Sequence, residues 1–210
     1  APYQVAPTSI GEAAGMMGDG LSEFFWKALT AKRLNLSASE ADATRKRFIE
    51  AYAQSPTRLS HVYPGIRTLL TELRERGVKI AVCTNKIERI AVDILKRLEL
   101  RDYFDAVVGS GDDRPMKPDP RPILEAVARA GGRIERAILV GDTGADYGAA
   151  IAARIPLVLA DYGYSHSPIS ALTYGIIVDS PLSLHEAVMG FVGREQFWSA
   201  DTDPQHHSAA

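Results

Sequence analysis

At 210 residues, 46% hydrophobic and 24% charged, the chain has the composition of a soluble globular protein. Its length suits one large domain or a core with a smaller insert. A net charge of −2 leaves no electrostatic ground for a nucleic-acid or anionic-membrane partner. The single cysteine, Cys83, excludes an internal disulfide and fits a reducing compartment. No apolar run is long enough to span a bilayer, and the first residues lack a basic-then-apolar leader pattern, so a cytoplasmic location is expected.

Residues 1–7 carry two prolines and no periodicity, which predicts a loop. From Thr8 the pattern is helical, with Ser9 and Glu12 placed as a capping box. Met16, Met17, Leu21, Phe24, Phe25, Ala28 and Leu29 recur at three- and four-residue spacing and make one apolar face. Gly18-Asp19-Gly20 breaks this run into two helices, with Asp19 as a cap; the turn is either plain turn chemistry or a substrate-facing loop. Ser37 to Glu40 is a second capping box, opening a helix to about Gln54 with Phe48, Ile49 and Tyr52 on its apolar face. Ser55-Pro56 ends this all-helical unit.

The grammar then changes. A helix over 66–76 ends at Gly77, and a strand over 78–83 leads into Thr84-Asn85-Lys86. A helix over 87–98, a strand over 105–109, a polar loop carrying Lys117, and a helix over 121–130 follow. Ala137 to Val140 reads as a buried parallel strand, followed by a helix over 144–153, strands over 157–160 and 176–178, and a helix over 183–192. Strands alternating with helices predict an α/β fold, a Rossmann-like parallel sheet with helices on both faces. The polar stretch 194–210 is expected to be a disordered tail, and its His206 and His207 to be frayed rather than metal-binding.

Ligands of open parallel sheets bind beyond the carboxyl ends of the strands. Thr84 and Asn85, then Lys117, then Asp142 with Asp146 occupy three such ends. A hydroxyl and a backbone N–H at Thr84 and Asn85 can hold phosphate oxygens, and a lysine can neutralise them. Two carboxylates four residues apart are costly to bury without a cation, and Mg²⁺ is the usual one in phosphate chemistry. Each has a plainer reading: Asp142 as a helix cap, Thr84 as a strand-end hydrogen-bonder, Lys117 as an exposed loop lysine, Cys83 as a buried small hydrophobe.

Val82-Cys-Thr-Asn85, Lys117-Pro-Asp119 and Gly141-Asp-Thr-Gly-Ala-Asp146 resemble the second, third and fourth motifs of the haloacid dehalogenase-like hydrolase superfamily. Tyr63-Pro-Gly65, Gly109-Ser-Gly-Asp-Asp113, Asp161-Tyr-Gly-Tyr-Ser165 and Gly18-Asp-Gly-Leu21 resemble its phosphoglycolate phosphatase group. The resemblance implies an α/β core over 59–193 with a small helical cap over 1–58. It implies an Mg²⁺-dependent phosphate monoester hydrolase acting through an aspartyl-phosphate on a small phosphorylated metabolite such as 2-phosphoglycolate. Thr84, Lys117 and Asp142 would be catalytic, and Thr84, Asn85 and Lys117 would bind substrate. Asp142 would hold Mg²⁺, supported by Asp146. A monomer or homodimer is expected.

The family's first motif, a strand ending in Asp-x-Asp-Gly-Thr that carries the nucleophile, has no counterpart in these 210 residues. In the family that strand runs between strands 78–83 and 137–140, so its loss predicts a slot about 9–10 Å wide. The sheet must then close up, recruit something else or be unstable. The chain, which opens on Ala1, is therefore expected to be an N-terminally truncated phosphatase without turnover of its own. The alternatives are a non-catalytic phosphate- or metal-binding relative, or another phosphatase of the superfamily: a nucleotidase, pyrophosphatase or phosphosugar mutase.

Overall fold

The structure, a computed structural model, describes residues 5–16, 18–111, 114–163 and 173–193. The tail with His206 and His207 lies outside them. The first 54 residues form three helices: α1 (Ile10–Ala14), α2 (Gly20–Ala31) and α3 (Ala38–Gln54). Both expected capping boxes close, Ser9 with Glu12 and Ser37 with Glu40, so each satisfies two otherwise orphaned N–H groups. Asp19 stands at the N-cap of α2, but its carboxylate makes no cap hydrogen bond and pairs with Lys27 instead. Phe24 stacks on Phe48 at 5.7 Å and holds α2 against α3.

The remaining elements alternate: α4 (Ile66–Glu75), β1 (Ala81–Ile87), α5 (Glu88–Arg97), β2 (Ala106–Ser110), α6 (Arg121–Arg129), β3 (Leu139–Gly141), α7 (Gly144–Ala153), β4 (Leu157–Ala160), β5 (Ile176–Val178) and α8 (Pro181–Val192). All strand pairs are parallel. Alternation along β4 sorts its side chains into two cores. Val158 and Ala160 meet Leu69 and Leu73 of α4 and Leu184, Val188 and Phe191 of α8. Leu157 and Leu159 meet Ile123 of α6 and Ala149 and Ala150 of α7.

The expected single sheet is in fact two. One is β2–β1 and the other β3–β4–β5, with no pairing between β1 and β3 among the described residues. Both belong to one layer. Val78 and Ile80, leading into β1, pack on the first core, and Cys83 of β1 packs on the second. The slot has therefore stayed open. Its cost shows in the expected buried strand 137–140: Leu139 is buried, but Val140 is 43% exposed, because β3 has a partner on one edge only.

Backbone direction identifies the groups on the open edges. The Asp105 N–H donates to the Ile80 carbonyl, so alternate residues Ala81 and Cys83 point away from β2. The Leu139 N–H donates to Pro156 beside β4, so Val140 points away from β4. Amide exchange should accordingly be fast at Ala81, Cys83 and Val140 and slow at Val82 and Leu139. Uniform protection along β1 and β3, measured by NMR, would show that the slot is closed.

Candidate active site

A cavity of about 910 Å³ lies between the helical segment and the carboxyl ends of β1 and β3. Thr84, Asn85, Lys117, Asp142 and Asp146 all line it, so the residues singled out from three separate strand ends meet in one place.

β1 delivers the first two through an irregularity. It runs beyond the expected end at Cys83, but the register with β2 breaks between Cys83 and Ile87, where Thr84, Asn85 and Lys86 sit. Such a break re-aims side chains that regular pleating would alternate between faces. The Thr84 hydroxyl accepts the Lys86 N–H at 3.1 Å and keeps its own proton to donate. Asn85 is buried, and its amide is fully engaged by protein. Nδ2 donates to the carbonyls of Lys117 (2.8 Å) and Gly18 (3.3 Å), and Oδ1 accepts the Lys117 N–H at 2.8 Å. The Asn85 side chain thus pins the lysine loop and the Gly18–Gly20 turn to β1. Gly20 is required there: its φ is +88°, and a Cβ would stand 2.9 Å from the Asn85 carbonyl oxygen. The turn is turn chemistry and cavity wall at once.

Lys117 is not an exposed loop lysine; its side chain is 10% exposed. Nζ donates to Asp146 Oδ1 and to the Cys83 carbonyl, both at 2.6 Å. The Cys83 carbonyl is one of the groups on the open edge of β1. Asp142 is not the cap of α7. Thr143 holds that position in a capping box with Asp146, and Asp142 is left facing the cavity.

Asp146 Oδ2 accepts the N–H groups of Asp142 (3.2 Å) and Thr143 (3.0 Å) and the Thr143 hydroxyl (2.6 Å). Gly141 makes room, because a Cβ there would stand 2.3 Å from Asp146 Cγ. Both Asp146 oxygens are thus engaged, one by the Lys117 ammonium and the other by the Asp142 and Thr143 backbone and the Thr143 hydroxyl. Burial alone would push its carboxyl upward, but the charge and hydrogen bond of Lys117, with the hydrogen bonds from Thr143 and Asp142, hold it below the usual carboxylate range. The Cys83 thiol is raised, chiefly by burial, which fits a packed hydrophobe rather than a nucleophile.

Oxygen donors suit a hard cation in kind. Among the described residues no group of three His, Cys, Asp or Glu gathers, so a cation beside Asp142 would need further donors. Residue order assigns no part in the site to Tyr52, placed on a helix's apolar face, to Lys86, which directly follows Thr84-Asn85, or to Lys27, yet all three line the cavity.

The family model described as haloacid dehalogenase-like hydrolase matches residues 1–160. The chain belongs to this family. Its relatives include the phosphoglycolate phosphatases of Caulobacter vibrioides, 31% identical over 89% of this chain and 79% of that protein, and of Rhodospirillum rubrum, 35% identical over 86% and 76%. This haloacid dehalogenase-like chain is thus phosphoglycolate phosphatase-like, a phosphatase by family. Among solved structures, a predicted phosphoglycolate phosphatase from Haemophilus somnus superposes with a TM-score of 0.80 at 22% identity, over 90% of this chain and 84% of its own. A β-phosphoglucomutase from Clostridium difficile superposes with a TM-score of 0.70 at 18% identity, over 92% and 87%. These two likenesses speak for the fold.

Asp146→Asn tests the buried pair. It leaves the buried Lys117 ammonium without its counter-charge and should destabilise the fold by about 3–5 kcal/mol at neutral pH. A carboxyl held low in the folded state stabilises above its unfolded pKa of about 3.9, and that contribution fades as pH falls through the folded value. The gap between wild type and variant, followed by denaturant unfolding, should therefore narrow below about pH 4.

Proposed function

We propose that this chain carries the phosphate- and magnesium-binding side of a phosphate monoester hydrolase of the phosphoglycolate phosphatase type. The observation that supports this reading is the meeting of Thr84, Lys117 and Asp142 in one cavity at the carboxyl ends of parallel strands. The Thr84 hydroxyl and the Asn85 backbone N–H would hold phosphoryl oxygens. Lys117, fixed by Asp146 and the Cys83 carbonyl, would set a positive charge against them. Asp142 would hold Mg²⁺, which when bound supplies further positive charge to the phosphate oxygens. Asp146 would act by positioning, since it holds both the Lys117 ammonium and the Asp142 backbone. Residues 1–58 would form the cap that excludes water over a core of 59–193.

The attacking carboxylate is another matter. No Asp-x-Asp-Gly-Thr occurs in the 210 residues, and β1 and β3, which would flank such a strand, have unpaired edges. Covalent phosphoryl transfer needs that group. These residues by themselves would therefore bind substrate without turning it over, which also accommodates the reading as a non-catalytic phosphate binder.

Two measurements test this. With Mg²⁺, the 210-residue chain should hydrolyse 2-phosphoglycolate no faster than background, whereas orthophosphate should raise its thermal midpoint. Asp142→Ala should remove the Mg²⁺-dependent part of that rise. Turnover abolished by Asp142→Ala would refute the missing nucleophile; absence of any Mg²⁺-dependent phosphate binding would refute the site.

A further inference from the structure

Three ammonium groups line the cavity, and they are not equivalent. Lys27 Nζ lies 2.5 Å from Asp19 Oδ2, and Lys117 Nζ lies 2.6 Å from Asp146 Oδ1. Each is neutralised in place. Lys86 has no carboxylate within ion-pair distance among the described residues. Its Nζ donates to the Tyr52 hydroxyl at 2.9 Å and lies 5.0 Å from the centre of that ring.

With one N–H given to a neutral partner, the Lys86 ammonium has two further N–H donors. Tyr52, having accepted one hydrogen bond, keeps its own O–H to donate. The two donors come from different elements: Lys86 two residues beyond Thr84 on β1, Tyr52 near the end of α3. The adjoining wall is apolar, formed by Phe24 and Phe48. The cavity wall therefore carries a charged donor and a neutral donor that are distinct from Thr84, Lys117 and Asp142.

We propose that Lys86 and Tyr52 form the subsite for a carboxylate on the alcohol portion of the phosphate ester, and so select an acidic ester over a neutral one. The inference rests on the functional reading above. Each carboxylate oxygen takes one donor, and the Lys86 charge makes one of the bonds charge-assisted. An ester ending in a methyl group leaves the ammonium uncompensated against an apolar wall.

Calorimetric titration of the chain with Mg²⁺ and three ligands tests this: orthophosphate, ethyl phosphate and 2-phosphoglycolate. The wild type should bind 2-phosphoglycolate about tenfold or more tighter than ethyl phosphate, the range of a charge-assisted hydrogen bond. In Lys86→Met that preference should collapse toward one, in Tyr52→Phe it should fall partway, and Lys86→Arg should restore most of it. Orthophosphate binding by each variant reports that the fold and the phosphate end survive. Equal affinity of the wild type for the two esters, or a preference that survives Lys86→Met, overturns the subsite alone. Failure of the wild type to bind orthophosphate at all overturns the phosphate site and this inference with it.

Discussion

The Lys117 ammonium stands where two halves of a sheet fail to meet. β1 and β3 each leave one edge unpaired, and open backbone edges inside a fold are costly unless something satisfies them. Lys117 reaches from its loop to the Cys83 carbonyl on one side and to Asp146 on the other, at 2.6 Å each. It thereby ties the β1 half to the first turn of α7, which belongs to the β3 half. A buried charge pair is a poor source of stability in general but a strong constraint on geometry, because removing either member strands the other. Here that constraint acts where the sheet itself supplies none.

The rest of the site hangs on the same bracket. Asn85 fixes the Lys117 backbone in both directions, and its second amide N–H fixes the Gly18 carbonyl at the foot of α2. The helical segment therefore meets the β1 half through the residue that also places the lysine. On the other side, the oxygen of Asp146 not used by Lys117 collects the N–H groups of Asp142 and Thr143. Asp142 is turned to the cavity because its backbone is held from behind. The residues proposed for phosphate and for Mg²⁺ thus share one network of hydrogen bonds, and the cavity is the space that network leaves open.

Much of this was readable from residue order. Capping boxes at Ser9 and Ser37, the helix stop at Gly77, and the apolar runs of β2 and β4 are local signals, set by backbone hydrogen-bonding needs and by period. The strand-end positions of Thr84, Lys117 and Asp142 followed from the βα alternation. What was not readable was relational. Val140 belongs to an apolar run yet is exposed, because exposure depends on a neighbouring strand and not on the run itself. The Asn85 side chain has its partners 32 and 67 residues away, which no local pattern shows. That Asp146 would hold the Lys117 ammonium as well as the Asp142 backbone could not be read from its spacing. Lys86 and Tyr52 carry no motif, and only their contact in the cavity wall makes them a pair.

The central claim is that Lys117 and Asp146 act as one unit joining the two halves of the core. A double-mutant cycle with Lys117→Met and Asp146→Asn, read by denaturant unfolding at neutral pH, measures that coupling directly. The expected result is a double variant that loses much less than the two single losses combined, with an interaction energy of about 1–3 kcal/mol. Losses that simply add, to within about 0.5 kcal/mol, would contradict it.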